Sequence, residues 1–150
     1  MYYSHIYSVF FQNEDGLTAL MLACKREEFS NVAALLDQGV KYQQIQQHSY
    51  VLKLKRDRLS HFQASVSITD DSGKTALHHC AEHLQPDIAE VIMAADRRII
   101  DRKDKEGFTP LHLSVISCNR KLLECLLSNG ADANAVDKDG HNCIHWATGE

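Results

Sequence analysis

A chain of 150 residues, 44% apolar and 24% charged, with a net charge of −4, has the size of one globular domain and a surface with no overall pull on nucleic acid. It contains no run of about 18 apolar residues, the length a bilayer-crossing helix needs, and its start, Met1-Tyr2-Tyr3-Ser4-His5-Ile6, lacks the basic region and cleavage site of a secretory leader. The five cysteines (Cys24, Cys80, Cys118, Cys125, Cys143) are odd in number and fall at apolar or near-apolar positions of helical segments, so they read as reduced, buried thiols of an intracellular protein of the cytoplasm and/or nucleus.

In chain order, an apolar run from Ile6 to Phe11 precedes a first unit that opens with Asp15-Gly16-Leu17-Thr18-Ala19-Leu20. Related openings follow at Ser72-Gly73-Lys74-Thr75-Ala76-Leu77-His78, Glu106-Gly107-Phe108-Thr109-Pro110-Leu111-His112 and Asp139-Gly140-His141-Asn142-Cys143-Ile144-His145. Gly73 and Gly107 are 34 residues apart, and Gly107 and Gly140 are 33 apart. An Asn or Asp stands three residues before each glycine (Asn13, Asp70, Asp104, Asp137), where its side chain can accept from the turn backbone.

The third unit is the clearest. Gly107 supplies a positive φ to a tight turn, Thr109 suits a helix cap and Pro110 a first helical position. Leu111, Leu113 and Val115 mark a short helix that Cys118-Asn119 breaks. Leu122, Leu123, Leu126 and Leu127 form the apolar stripe of a second, which Asn129-Gly130 ends. Each unit thus reads turn, helix, turn, helix. One unit alone leaves its leucines wet, and stacking on a neighbour recovers about 1.5–3 kcal/mol per fully buried Leu or Ile.

Gly16 and Gly73 are 57 residues apart, 24 more than a 33-residue period, so an insertion is expected at about 41–67. Lys41, Lys53, Lys55, Arg56 and Arg58 against Asp57 give it a net charge of +4, which leaves −8 on the rest. Ile45, Leu52 and Leu59, seven apart, suit an amphipathic helix. The alternations Tyr50-Leu52-Leu54 and Phe62-Ala64-Val66-Ile68 suit a hairpin turning near Arg56-Asp57-Arg58. The favoured reading is a helix followed by an extended return; a degenerate repeat fits less well.

Period, turn, helix start and helix stop together resemble the ankyrin-repeat family, most closely at Gly107–His112 and Asn129-Gly130-Ala131-Asp132-Ala133-Asn134. The resemblance implies an all-α solenoid, a β-turn plus a helix pair per repeat, with about 3.5 repeats in one domain over 1–150. The expected divisions are repeat 1 at about 13–40, the insertion at 41–67, repeat 2 at 70–103, repeat 3 at 104–136 and a partial repeat 4 at 137–150. Departures are visible. Met21 stands where the family has His, and Glu27-Glu28, Leu84-Gln85 and Cys118-Asn119 stand where it has an inter-helix Gly-His. The partial fourth unit reads as a cut end of a longer protein. The alternative is a natural end whose apolar face recruits a partner or a second copy.

His78, His112 and His145 align with the family's T-P-L-H histidine, which implies a structural role bonding the neighbouring turn, as Gly73, Gly107 and Gly140 are structural in their turns. His79 and His83 are i, i+4 on a helix and reach one face, but zinc would need two further ligands and no paired C-x-x-C exists, so no metal and no cofactor are expected. Cys143 and His145 are i, i+2 and do not face each other, although the helix start leaves room for a lowered thiol pKa at Cys143. With no phosphate loop, no H-E-x-x-H and no orienting group, no enzyme is expected and no catalytic residue is assigned.

The expectation is a protein–protein interaction module, a scaffold or adaptor. By resemblance its rigid groove is made of turn tips and first helices presenting Lys74, His83, Lys105, Phe108, Ile116, Lys138 and His141, with Lys53, Lys55, Arg56 and Arg58 as an added contact. Phe108 reads as an exposed aromatic anchor, with partial cover by the next turn as the alternative. Nucleic acid is disfavoured, and self-association through the truncated C-terminal face is a further option. The alternatives in function are a substrate-recruiting or regulatory domain of a larger enzyme, or a transcriptional regulator or inhibitor.

Overall fold

The computed structural model describes residues 12–26, 28–36, 66–83 and 86–149. Among these, the helices are α1 (Ala19–Lys25), α2 (Phe29–Leu36), α3 (Ala76–Glu82), α4 (Pro86–Ala95), α5 (Pro110–Ile116), α6 (Arg120–Ser128) and α7 (Cys143–Thr148), with a 3-10 turn at Arg97–Ile99 after α4. The expected all-α array is what forms. The first helices contact one another in order, α1 to α3 to α5 to α7, and the second helices do the same, α2 to α4 to α6. Each first helix also packs on its own second helix in the pairs α1–α2, α3–α4 and α5–α6, so the chain is two layers deep. The insertion read at 41–67, with Lys53, Lys55, Arg56 and Arg58, lies outside the described residues except for Val66 and Ser67, as does the run Ile6 to Phe11.

The turn before each first helix is built once and repeated. The side-chain oxygen of Asn13, Asp70, Asp104 or Asp137 accepts from the N–H two residues on and from the N–H four residues on, at 2.8 to 3.1 Å. Successive turns then bond to each other through the main chain. Asp71 N–H donates to the Asp15 carbonyl at 3.3 Å, Lys105 N–H to Ser72 at 2.9 Å and Lys138 N–H to Glu106 at 3.1 Å. This closeness is why glycine stands at the tip. Gly107 has φ +86, and a Cβ there would lie 2.7 Å from the Lys138 nitrogen.

Helix starts follow the sequence as read. Thr18, Thr75, Thr109 and Asn142 are the caps of α1, α3, α5 and α7, and the third helical residue closes the box in each case. Thr75 N–H donates to His78 Nδ1 at 3.1 Å, and Thr109 N–H to His112 Nδ1 at 3.2 Å. A main-chain N–H only donates, so Nδ1 accepts and Nε2 carries the proton. Nε2 then donates to the next turn, from His78 to the Phe108 carbonyl at 3.1 Å and from His112 to the His141 carbonyl at 3.3 Å. Met21, in the histidine's place in the first unit, does half of this work: its thioether accepts from Thr18 N–H at 3.4 Å. His145 forms the same cap bond and stays exposed.

Leu77, Ile88, Ile92, Ile99, Leu111, Leu122 and Leu126 are fully buried between the layers. Away from the turns, Arg97 donates to the Asn129 carbonyl at 2.8 Å and Lys103 to the Val136 carbonyl at 2.6 Å, tying the second repeat to the third. The expected burial of the cysteines fails at two of the five. Cys24, Cys80 and Cys143 are buried, but Cys125 is half-buried and Cys118 is exposed. Cys118 sits in the inter-helix turn at φ +55, where the tight reversal turns its side chain outward instead of into the core.

Candidate partner-binding surface

The first helices lie side by side and their turns are locked in register, so the residue after each turn glycine recurs on one side of the array. These residues are Lys74, Phe108 and His141, with Lys105 and Lys138 exposed beside them. Ile116, at the end of α5, is 45% exposed, and His83 caps the end of α3 half-buried.

The tip residues fall into two clusters that the sequence did not separate. In the first, Lys74 reaches across to pair with Glu82 on α3. His79 lies beside Glu82, its Nδ1 3.7 Å from the carboxylate, while its Nε2 bonds Asp70 Oδ2 at 2.9 Å. His79 is only 5% exposed, and burial pushes its pKa down against the raising effect of Asp70. His78, alongside, is pushed by burial from 6.5 to about 4 and is neutral at physiological pH. In the second cluster Phe108 packs edge-on against Trp146, ring centroids 5.4 Å apart, and tilted against His112 at 6.0 Å. His141 meets Trp146 edge-on at 6.1 Å, and the Trp146 indole N–H donates to Asp137 Oδ2 at 2.9 Å.

Phe108 is therefore half-buried and joined to the next repeat; of the two readings, partial cover by the neighbouring unit describes it. Trp146 was not among the candidate residues, and its spacing of 38 from Phe108 gave no sign of the contact. We expect Phe108→Ala to lower stability by about 2 kcal/mol through the lost ring contact and burial. The chain has one tryptophan. Its emission will shift to the red in the variant, and an unchanged melting curve with unchanged emission would show that the contact carries no energy.

At Cys143 the room that the helix start leaves for a lowered thiol pKa is not used. Burial raises its pKa, overriding the hydrogen bond from its own N–H, so it is a weaker nucleophile than an ordinary cysteine. Among the described residues no helix is long and apolar enough to cross a membrane.

A family model described as ankyrin repeats (3 copies) matches residues 3–99 and 54–137. Neurogenic locus notch homolog protein 1 of Mus musculus is 31% identical over 90 residues, covering 60% of this chain and 4% of that protein. The human ankyrin and armadillo repeat-containing protein is 31% identical over 87 residues, 56% of this chain and 6% of its own length. The nuclear factor NF-kappa-B p105 subunit of Gallus gallus is 30% identical over 90 residues, 57% of this chain and 9% of its own length. The chain thus spans less than a tenth of the length of these curated relatives. Ankyrin repeats are in general protein–protein interaction modules, typically without enzymatic activity of their own. With its turn, cap, histidine and helix-pair geometry repeated along the stack, this chain belongs to the ankyrin-repeat family.

Proposed function

We propose that this chain is a recognition module that holds a partner protein against its row of turn tips and first helices, through Lys74, Lys105, Lys138, His83, Ile116 and His141. The observation that carries the reading is the turn-to-turn hydrogen bonding. It fixes the spacing of the tip side chains before any partner arrives, so little conformational entropy is lost on binding. Phe108 takes part through its exposed edge and otherwise sets the position of the tip. The basic segment 41–67 serves as a second contact for an acidic partner surface, consistent with its charge of +4 in a chain of −4. The buried thiols of Cys24, Cys80 and Cys143 support a reducing, intracellular setting, cytoplasm and/or nucleus, which the likeness to a nuclear factor subunit also favours.

A second contact surface is supported by the side of α7. Ile144 is 68% exposed and Trp146 40% exposed, beside an open recess lined by Val115, Ile116, Leu123 and Ala147. This side suits a second copy or a further protein segment.

The test is affinity capture from lysate with mass-spectrometric identification, followed by binding measurements on the captured partner. Three chains are compared: the intact one, one with 42–67 replaced by a short turn, and Lys105→Glu/Lys138→Glu. We expect the charge-reversed pair to bind at least about tenfold more weakly, with stability changed by less than about 0.5 kcal/mol, because both lysines are exposed. Full-strength binding by that pair would move recognition away from the tips. Loss only in the shortened chain would assign specificity to the insertion.

A further inference from the structure

We propose that His79, Glu82 and His83 form a zinc-binding site at the end of α3, with Asp70 as the positioning residue that orients His79. One ligand atom from each of the three lies within 4.8 Å of the others. The positions i, i+3 and i+4 put them on one side of the helix end. The sequence alone argued against zinc because only two histidines at helical spacing were visible in it. Glu82 supplies a third ligand, and Asp70, nine residues before His79, supplies the support.

His79 carries the argument. It is 5% exposed, and its Nδ1 is buried with no hydrogen-bond partner. An orphaned buried acceptor or donor is costly, about 1–3 kcal/mol, and calls for an explanation. The other ring nitrogen is held by Asp70 Oδ2 at 2.9 Å. An imidazole N–H given to a carboxylate leaves the opposite nitrogen as a lone pair, which is the arrangement that orients metal-binding histidines. The nearest carboxylate oxygen recorded beside that nitrogen, Glu82 Oε2, is 3.7 Å away. Tetrahedral zinc with bonds of about 2.0–2.1 Å spaces its ligand atoms about 3.3 Å apart, so this pair is nearly at bonding separation. Glu82 and His83 are only half-buried and can close the remaining distance by side-chain rotation.

Two imidazoles and a carboxylate suit zinc with one position left open, whereas magnesium and calcium require oxygen ligands throughout. One group opposes the metal. Lys74 Nζ holds the other oxygen of Glu82 and must swing aside, which a partly exposed lysine does readily.

The experiment is titration of the full chain with Zn²⁺ against a chromogenic chelator, in a Cys118→Ser background that removes the exposed thiol. Magnesium serves as the control ion, and melting curves check the fold of each variant. We expect one equivalent of zinc to bind. His83→Ala and Glu82→Gln should each weaken binding at least about tenfold, and Lys74→Met should tighten it. Asp70→Asn keeps one oxygen for the turn but can place an N–H against Nε2, moving the ring proton to Nδ1; a loss of about 10–100-fold is expected. A merely structural Asp70 would leave zinc affinity untouched while lowering stability. The proposal is overturned if no equivalent binds, if binding disappears with Cys118→Ser alone, or if a folded His83→Ala or Glu82→Gln chain binds as well as its parent.

Discussion

Replacing Gly107 with alanine will cost about 3 kcal/mol, while the same change at Gly140 will cost about 1 kcal/mol. Both residues have nearly the same backbone, φ +86 and +85, so the strain of forcing an L side chain into the left-handed region is common to both. What differs is the space. A Cβ on Gly107 would lie 2.7 Å from the Lys138 nitrogen and 3.0 Å from Asp137 main-chain atoms, which can yield only by breaking the joint between the two turns. A Cβ on Gly140 would meet nothing within 4 Å. In melting temperature the gap is about 4–8 °C for a chain of this size. Equal losses in the two variants would mean that turn-to-turn packing contributes nothing beyond local backbone strain.

Acid will destabilise the chain well before its carboxylates protonate. Unfolded, His78 has a pKa of 6.5; folded, burial holds it at about 4. The unfolded state therefore binds the extra proton between those values. Stability is full above about pH 6.5 and falls as the pH drops toward 4, by about 3 kcal/mol in all. His79 is shifted in the same direction by its own burial and deepens the loss. Denaturant midpoints measured at intervals from pH 7.5 to pH 4.5 should fall steadily. A His78→Gln chain should start less stable, having lost the bond to the Phe108 carbonyl, and show a shallower slope. A wild-type midpoint flat from pH 7 to pH 5 would contradict the buried neutral histidine.

What could be read in the sequence was what lies along one stretch of chain. Asn13, Asp70, Asp104 and Asp137 sit a fixed distance before their glycines, and the turn they make is local, so spacing alone specified it. The threonine caps were legible for the same reason. His78 and His112 were read through their place in a repeated opening, and their bonds reach the carbonyl of the next turn as that reading implied. The surface residues were harder. Whether an aromatic at the tip is free or covered depends on the unit stacked beyond it, and for Phe108 that cover comes from Trp146. The cluster around His79 was half visible for a related reason. Helical spacing joined it to His83, but its bond to Asp70 is made by folding the turn back over α3. Cys118 was misplaced because an apolar residue type was weighed above the reversal it stands in.

The joints between turns use main-chain atoms on both sides: an N–H from one tip and a carbonyl from the tip before it. These bonds carry no side-chain address, and the histidines that also reach the next turn, His78 and His112, meet a main-chain carbonyl there as well. A unit copied within the gene, or moved in from another array of the same kind, would find the same donor and acceptor waiting. Length then becomes a quantity that duplication can adjust in single steps, and the tip residues can drift in each copy without loosening the stack. The glycine cannot drift with them, since it is the clearance the next copy needs.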